Sequence, residues 1–295
     1  MLQQVDADLV IIIQGFRTPF LDVFFNLISW LGETTFYFIV LAAIYWGYNK
    51  RMAEFAAITL GVGAATNNIL KNIFLEPRPF QLYPDKIDNL RGYTATGTSF
   101  PSGHVQSFSS LAFGLSYYTR RRIFFVVAII MVALMGLSRI YLGAHFLRDT
   151  IVGGIMGFLV ASFHAALYAY IKHKNRYLNI YYLVLVLAFL PSAFFMAMQD
   201  FFMAYGILTG AILAIYLEKK YVNFTVRVSI KTLAVRTGLG FLVIFSVLYS
   251  LGFLLDVFGI VRGTTAYAVL TFLRYFIVTF IAFFLYPMAF KRFNI

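Results

Sequence analysis

The chain contains no cysteine among its 295 residues. That excludes a disulfide scaffold, a zinc–thiolate site and a cysteine nucleophile. Charge is scarce as well: 12% of residues, about half the ~25% of soluble domains. Acidic residues are scarcest, 12 against 24 Lys and Arg, and tryptophan occurs twice. What fills the chain is apolar. Hydrophobic residues make up 61% and aromatics 19%, with Phe 34 and Tyr 20, and mean hydropathy is +0.81. A soluble domain of this length cannot bury so much apolar surface, and disordered chains lack it. The sequence therefore reads as an integral membrane protein, with the lipid bilayer as its surroundings. The net charge of +12 does not point to nucleic acid, because the basic residues cluster between apolar runs, which is a topology signal.

A spanning helix needs ~20 mostly apolar residues. Candidate spans fall near 33–49, 52–71, 103–119, 123–142, 146–171, 178–198, 201–217, 233–255 and 265–289. The expectation is an all-α, polytopic transmembrane bundle of about nine spans. The first 31 residues read as short interfacial helices broken at Pro19. Their first charges, Asp6 and Asp8, stand where a secretory leader carries Lys or Arg. Basic clusters mark alternate loops: Lys50-Arg51, Arg120–Arg122, Lys172 with Lys174 and Arg176, Lys219-Lys220 with Arg227, Lys231 and Arg236, and Lys291-Arg292. By the positive-inside rule these face the cytoplasm. The C-terminus is then cytoplasmic, and the 72–102 loop and the 142–146 turn lie on the opposite face.

Three polar clusters interrupt the apolar pattern on that non-cytoplasmic face. They are Lys71 with Arg78-Pro79, then Pro101-Ser102-Gly103-His104, then Ser138-Arg139 followed by His145 and Asp149. Lys71, Arg78 and Arg139 have no matching acidic set nearby and call for an anion; the arginine fork suits phosphate oxygens. Ser102 reads as an N-cap and Gly103 as a point of close backbone approach, at a helix N-terminus that presents free N–H groups. His145 and Asp149 are four apart and share a helix face, so the carboxylate can hold one imidazole nitrogen and leave the other to attack. His104 is a second titratable group, suited to protonating a leaving oxygen. No Asp/Glu/His cluster with metal spacing lies near, so a metal-independent reaction with no cofactor is expected.

The spacing K-x(6)-R-P, P-S-G-H, S-R-x(5)-H-x(3)-D resembles the tripartite signature of the type 2 phosphatidic acid phosphatase superfamily. Every signature position is filled, in order. That superfamily includes lipid phosphate phosphatases, glucose-6-phosphatase and vanadium haloperoxidases. The resemblance implies a six-helix phosphatase core within residues 1–198 and leaves 199–295 as a C-terminal extension of about three helices. It implies His145 as nucleophile oriented by Asp149, and His104 as acid and base. Lys71, Arg78, Ser102, the Gly103 amide and Arg139 are then the groups that hold the phosphoryl oxygens. One departure is the run Phe146-Leu147-Arg148, where many members have proline between the histidine and aspartate.

The expected function is hydrolysis of a lipid phosphate or lipid pyrophosphate through a phosphohistidine, in a prokaryotic cell membrane or else the endoplasmic reticulum. Alternatives are a phosphatase of a small soluble phosphate ester, a lipid phosphotransferase, and a non-catalytic lipid carrier. Other residues have structural readings. Gly153, Gly154 and Gly157 let helices pack closely, and Asn67 and Asn68 make cross-helix hydrogen bonds. Arg148 touches substrate or a lipid headgroup if its side chain reaches the site. Arg274, about halfway down the last span, requires an acidic partner such as Asp256, a substrate cavity to line, or a route to the interface.

Overall fold

The computed structural model describes residues 2–92, 95, 97–171, 175–195, 199–226 and 228–293. Lys172, Lys174 and Arg227 lie outside the described residues, as do the side chains of Arg176 and Lys291. All regular structure among the described residues is helical: α1 (Leu2–Gln14), α2 (Pro19–Trp30), α3 (Thr34–Gly47), α4 (Lys50–Phe74), α5 (Pro79–Leu82), α6 (Gly103–Thr119), α7 (Arg122–Tyr141) and α8 (Leu147–Ile171) come first. There follow α9 (Asn175–Phe189), α10 (Ser192–Phe195), α11 (Gln199–Leu217), α12 (Ile230–Val257), α13 (Thr265–Phe280) and α14 (Tyr286–Phe293), with π-helical turns at Glu218–Val222 and Ile281–Leu285.

The span count differs from the nine expected. Among the described residues, six helical stretches are long and apolar enough to cross a membrane: Arg122–Tyr141, Leu147–Ile171, Tyr177–Phe194, Asp200–Val222, Ile230–Val257 and Thr265–Phe290. A seventh is added if α2 and α3, bent by 55° at their junction, count as one. The other two expected spans are helices of a more polar kind. α4 is diluted by Glu54, Asn67, Asn68 and Lys71, and α6 is only 17 residues long and carries His104, Gln106 and four serines. Hydrophobic periodicity located these elements, and the count of nine is not confirmed by their length and composition.

The chain divides into two compact units. One comprises residues 1–37 and 66–166, the other 38–65 and 167–295. In the first, α6 packs on α7, and α1 and α2 also lie on α7. α2 starts where Thr18 caps it, accepting from the Leu21 amide at 3.2 Å, with Pro19 in its first turn. α1 buries Ala7 and Val10 with Ile87, Ile140 and Phe146. α7 ends in a turn at Gly143, whose φ of +70° and position 2.2 Å from the Asp88 carbonyl (measured from an ideal β-carbon) admit only glycine. α8 approaches α6 through Gly153 and Gly157: β-carbons there would lie 2.8 Å from the Ser102 carbonyl and 2.4 Å from that of Gln106. Ser109 Oγ donates to the Gly154 carbonyl at 2.7 Å across the same contact. The close-packing reading of these glycines is thus met, and it fixes where the start of α6 sits against α8.

In the second unit, α11 lies on α13 through Gly206 and Gly210, which touch the backbone at Phe272 and Phe276. Several basic residues read as loop charges are engaged here. Lys50 pairs with buried Glu218 and Lys219 with buried Glu54, each at 2.6 Å. Arg236 is buried, donates to the Trp46 and Thr225 carbonyls, and stands 4.2 Å from the Phe290 ring centre.

Candidate active site

All eight residues expected to form the site belong to the first unit. Lys71 lies in the last turn of α4, buried, with Nζ donating to the Thr98 carbonyl and at 3.4 Å to that of Ser99. Arg78 stands at the start of α5. Its Nε donates to the Gly97 carbonyl at 3.0 Å and one Nη to the Ala144 carbonyl at 2.9 Å. The same Nη is 3.1 Å from Nε2 of His145. Arg139, in the last turn of α7, is fully buried and donates to Ser29 Oγ at 2.5 Å. All three cations lie within electrostatic reach of both His104 and His145.

His145 sits in the turn between α7 and α8, and Asp149 in the first turn of α8. Both are buried, and His145 Nδ1 is 3.4 Å from Asp149 Oδ2. That oxygen also accepts from the Phe146 amide at 3.0 Å and from Ser99 Oγ at 2.5 Å. Ser99 Oγ lies 3.3 Å from His145 Nδ1. A carboxylate and a hydroxyl whose proton is already given away both require a donor, so Nδ1 carries the imidazole proton and Nε2 presents its lone pair. Burial, and then the charges of Arg78, Lys71 and Arg139, hold the His145 imidazole well below the ordinary histidine range. The ring is therefore neutral at pH 7, the form in which Nε2 is a nucleophile.

Ser102 occupies the cap position of α6, as expected, but its hydroxyl makes no capping bond. Its buried Oγ makes no hydrogen bond to a described residue, and neither does the buried Nε2 of His104. Ser102 N–H instead donates to the Asp149 carbonyl at 3.0 Å, joining the start of α6 to α8. Gly103 lies against Asn67 Oδ1 and Lys71, and the N–H groups of this first turn have no acceptor within the helix. Gly32 makes room for the His104 ring, since a β-carbon there would come within 2.8 Å of it. The arrangement offers a neutral imidazole, a second imidazole with a free nitrogen, three cations and a helix N-terminus.

These groups match a known family over most of the chain. Residues 52–176 match the PAP2 superfamily, and residues 202–295 match its phosphatase transmembrane extension. The chain belongs to the PAP2 superfamily. It is similar to the lipid A 4'-phosphatase of Porphyromonas gingivalis, 29% identical over 182 residues, covering 58% of this chain and 76% of that protein. It is also similar to a probable sphingosine-1-phosphate phosphatase of Dictyostelium discoideum, 28% identical over 169 residues, covering 51% of this chain and 39% of that one. Among solved structures, a transmembrane PAP2-type phosphatidylglycerolphosphate phosphatase from Bacillus subtilis shares the fold. It has a TM-score of 0.50 and 21% identity, with 59% of this chain and 89% of that chain covered. Membership, the apolar helices and the extension make this PAP2 protein an integral membrane protein of a phosphatase family.

Ser99 and Arg91, around this PAP2 site, escaped the sequence reading. Ser99 precedes the second cluster and carries no helix or turn signal of its own. Arg91, from the 83–102 connector, is buried, binds Asn26 and Glu33, and lies within electrostatic reach of His104. Arg148 does not stand free to meet a substrate: Glu76 holds it at 2.5 Å and Asp6 at 3.4 Å, with Asp149 Oδ1 at 3.8 Å. Asn67 makes the cross-helix bonds expected of it, to the Pro101 carbonyl and Gln106 Oε1. Ser99→Ala is expected to lower kcat about ten- to a hundredfold, the worth of one hydrogen bond to a charged group, with KM little changed. Ser99→Thr restores most of it; a wild-type kcat in Ser99→Ala removes the hydroxyl from the orienting set.

Proposed function

We propose that the protein hydrolyses a lipid phosphate or lipid pyrophosphate through a phosphohistidine, without a metal ion. The observation that carries this reading is the environment of His145, with Nδ1 toward Asp149 and Ser99 and Nε2 toward the Arg78 fork. A phosphoryl group bound by Arg78 lies beside Nε2. Nε2 attacks phosphorus in line, the bond to the leaving oxygen breaks, and His104, entering the step as an imidazolium beside the bound phosphoryl anion, gives that oxygen its proton and becomes neutral. His104 then takes a proton from water, whose oxygen attacks phosphorus and returns His145 to its neutral form. Lys71, Arg78, Arg139, Ser102 Oγ and the Gly103 amide hold the non-bridging oxygens. These donors grip the transition state more strongly than the ground state, because charge accumulates on those oxygens as the bond breaks.

A lipid substrate is supported by the names of the two relatives and by site residues carried on helices of an apolar chain. The division at 198/199 into a phosphatase core and an extension is supported by the start of the extension match at residue 202. Alternation of the basic clusters supports a non-cytoplasmic site and a cytoplasmic C-terminus, and the Porphyromonas relative supports a prokaryotic cell membrane. A phosphate-release panel over lipid and soluble esters tests the proposal. Expected are turnover in EDTA, inhibition by vanadate and preference for a lipid ester. Faster hydrolysis of sugar phosphates than of every lipid phosphate overturns the lipid assignment, and loss of activity in EDTA overturns metal independence.

A further inference from the structure

Arg274 is the basic residue that sits deepest in the last span and belongs to the matched transmembrane extension. Its expected partner Asp256 does not pair with it. Nε donates instead to the Leu248 carbonyl at 2.9 Å. Neither Nη makes a hydrogen bond or ion pair with a described residue, and the side chain is part-exposed. The guanidinium lies in a notch left by Gly252, where a β-carbon would stand 2.5 Å from Nη2, 2.7 Å from Cζ and 3.0 Å from Nη1. Around it, Tyr249, Phe253, Leu273 and Ile277 are exposed on spans, so the notch opens on a lipid-facing surface.

The depth of the fork follows from helix geometry. At 1.5 Å per residue, the Arg274 α-carbon is roughly 13 Å below the start of α13, and Gly252 is roughly 7–8 Å below the end of α12. The difference, roughly 6 Å, is the reach of an extended arginine side chain, and helical side chains lean toward their own N-terminus. The stem thus rises toward the 258–264 loop and delivers the fork to the level of Gly252. There Nε is pinned to a carbonyl, the fork lies against Gly252 and 5.5 Å from the Tyr275 ring centre, and the side chain is part-exposed on the lipid-facing side. A carbonyl and the Tyr275 ring are its partners and neither carries charge, so an anion adds stabilisation; the anion available at the lipid interface is a phospholipid phosphate. A planar fork held by one backbone bond is arranged for two phosphate oxygens.

We propose that Gly252 and Arg274 form a receptor for the phosphate of a lipid headgroup, separate from the phosphatase residues and independent of the reaction assigned to them. Native mass spectrometry of the full chain, released from detergent with phosphatidylglycerol, tests it. The wild type is expected to retain one more phosphatidylglycerol than Arg274→Gln, whose retained fraction falls at least fivefold. Arg274→Lys keeps the charge without the fork and retains an intermediate fraction. Gly252→Ala keeps the arginine but fills the notch, and falls as Arg274→Gln does. Inorganic phosphate at millimolar concentration does not displace the lipid; if it does so fully, the ligand is free phosphate and the lipid assignment is wrong. Equal retention by wild type and Gly252→Ala overturns the proposal even if Arg274→Gln fails to fold.

Discussion

His145→Ala is expected to abolish phosphate release, lowering kcat by at least about 10⁴, the scale seen when a member of a nucleophilic catalytic set is removed. The cause is specific. On the proposed route Nε2 is the acceptor for the phosphoryl group beside the Arg78 fork, and the remaining cations would stabilise charge without accepting phosphorus. Rapid-quench labelling of the wild type should trap an acid-labile, alkali-stable phosphoprotein that His145→Ala lacks. Phosphate release at the wild-type rate in the variant would sink the covalent route. The pH profile provides a second view of the same residue. Because burial and the neighbouring cations hold the free enzyme's imidazole below the usual histidine range, the base form is full at pH 7 and is lost only on acidification below that range. The acid limb of kcat/KM should therefore lie below the ordinary histidine range. Arg78→Gln, by removing a positive charge 3.1 Å from Nε2, should move that limb toward higher pH.

Arg139→Ala is expected to lower kcat/KM by about 10²–10³, equivalent to about 3–4 kcal/mol of transition-state stabilisation. Its side chain is fully buried and one of its nitrogens is held by Ser29. The effect is a joint one, since Lys71 and Arg78 bear on the same two imidazoles. Losses from two of the three cations should accordingly fall short of the sum of the single losses. Arg139→Lys keeps the charge but not the planar fork, and should recover only part of the rate. A kcat/KM within threefold of wild type for Arg139→Ala would remove this residue from the phosphoryl-binding set.

Much of the candidate site was legible because it is built from residue types that a bilayer penalises. Lys71, Arg78, His104, Arg139, His145 and Asp149 stand out against an apolar background. The i, i+4 spacing of His145 and Asp149 holds across a helix start, which is why the pair meets as expected. What escaped was whatever depends on distant backbone. Ser99 is one serine among many until the 97–101 segment lays it against Asp149. Arg148 looked available beside Asp149, yet Glu76 and Asp6 come from two other segments to occupy it. The nine-span count is not confirmed at α4 and α6 for a related reason: the helices bearing the site trade apolar residues for polar ones, and α6 is only 17 residues long.

By itself the sequence determined the membrane class, the helical architecture and the three clusters, because apolar periodicity and costly intramembrane charge are local properties of the chain. Tertiary structure alone decided the imidazole tautomer, the unspent hydroxyl of Ser102 and the seat of Arg274 on Gly252. Each of those depends on which backbone carbonyl, carboxylate or missing β-carbon a fold brings within a few ångströms, and spacing along the chain does not encode that distance.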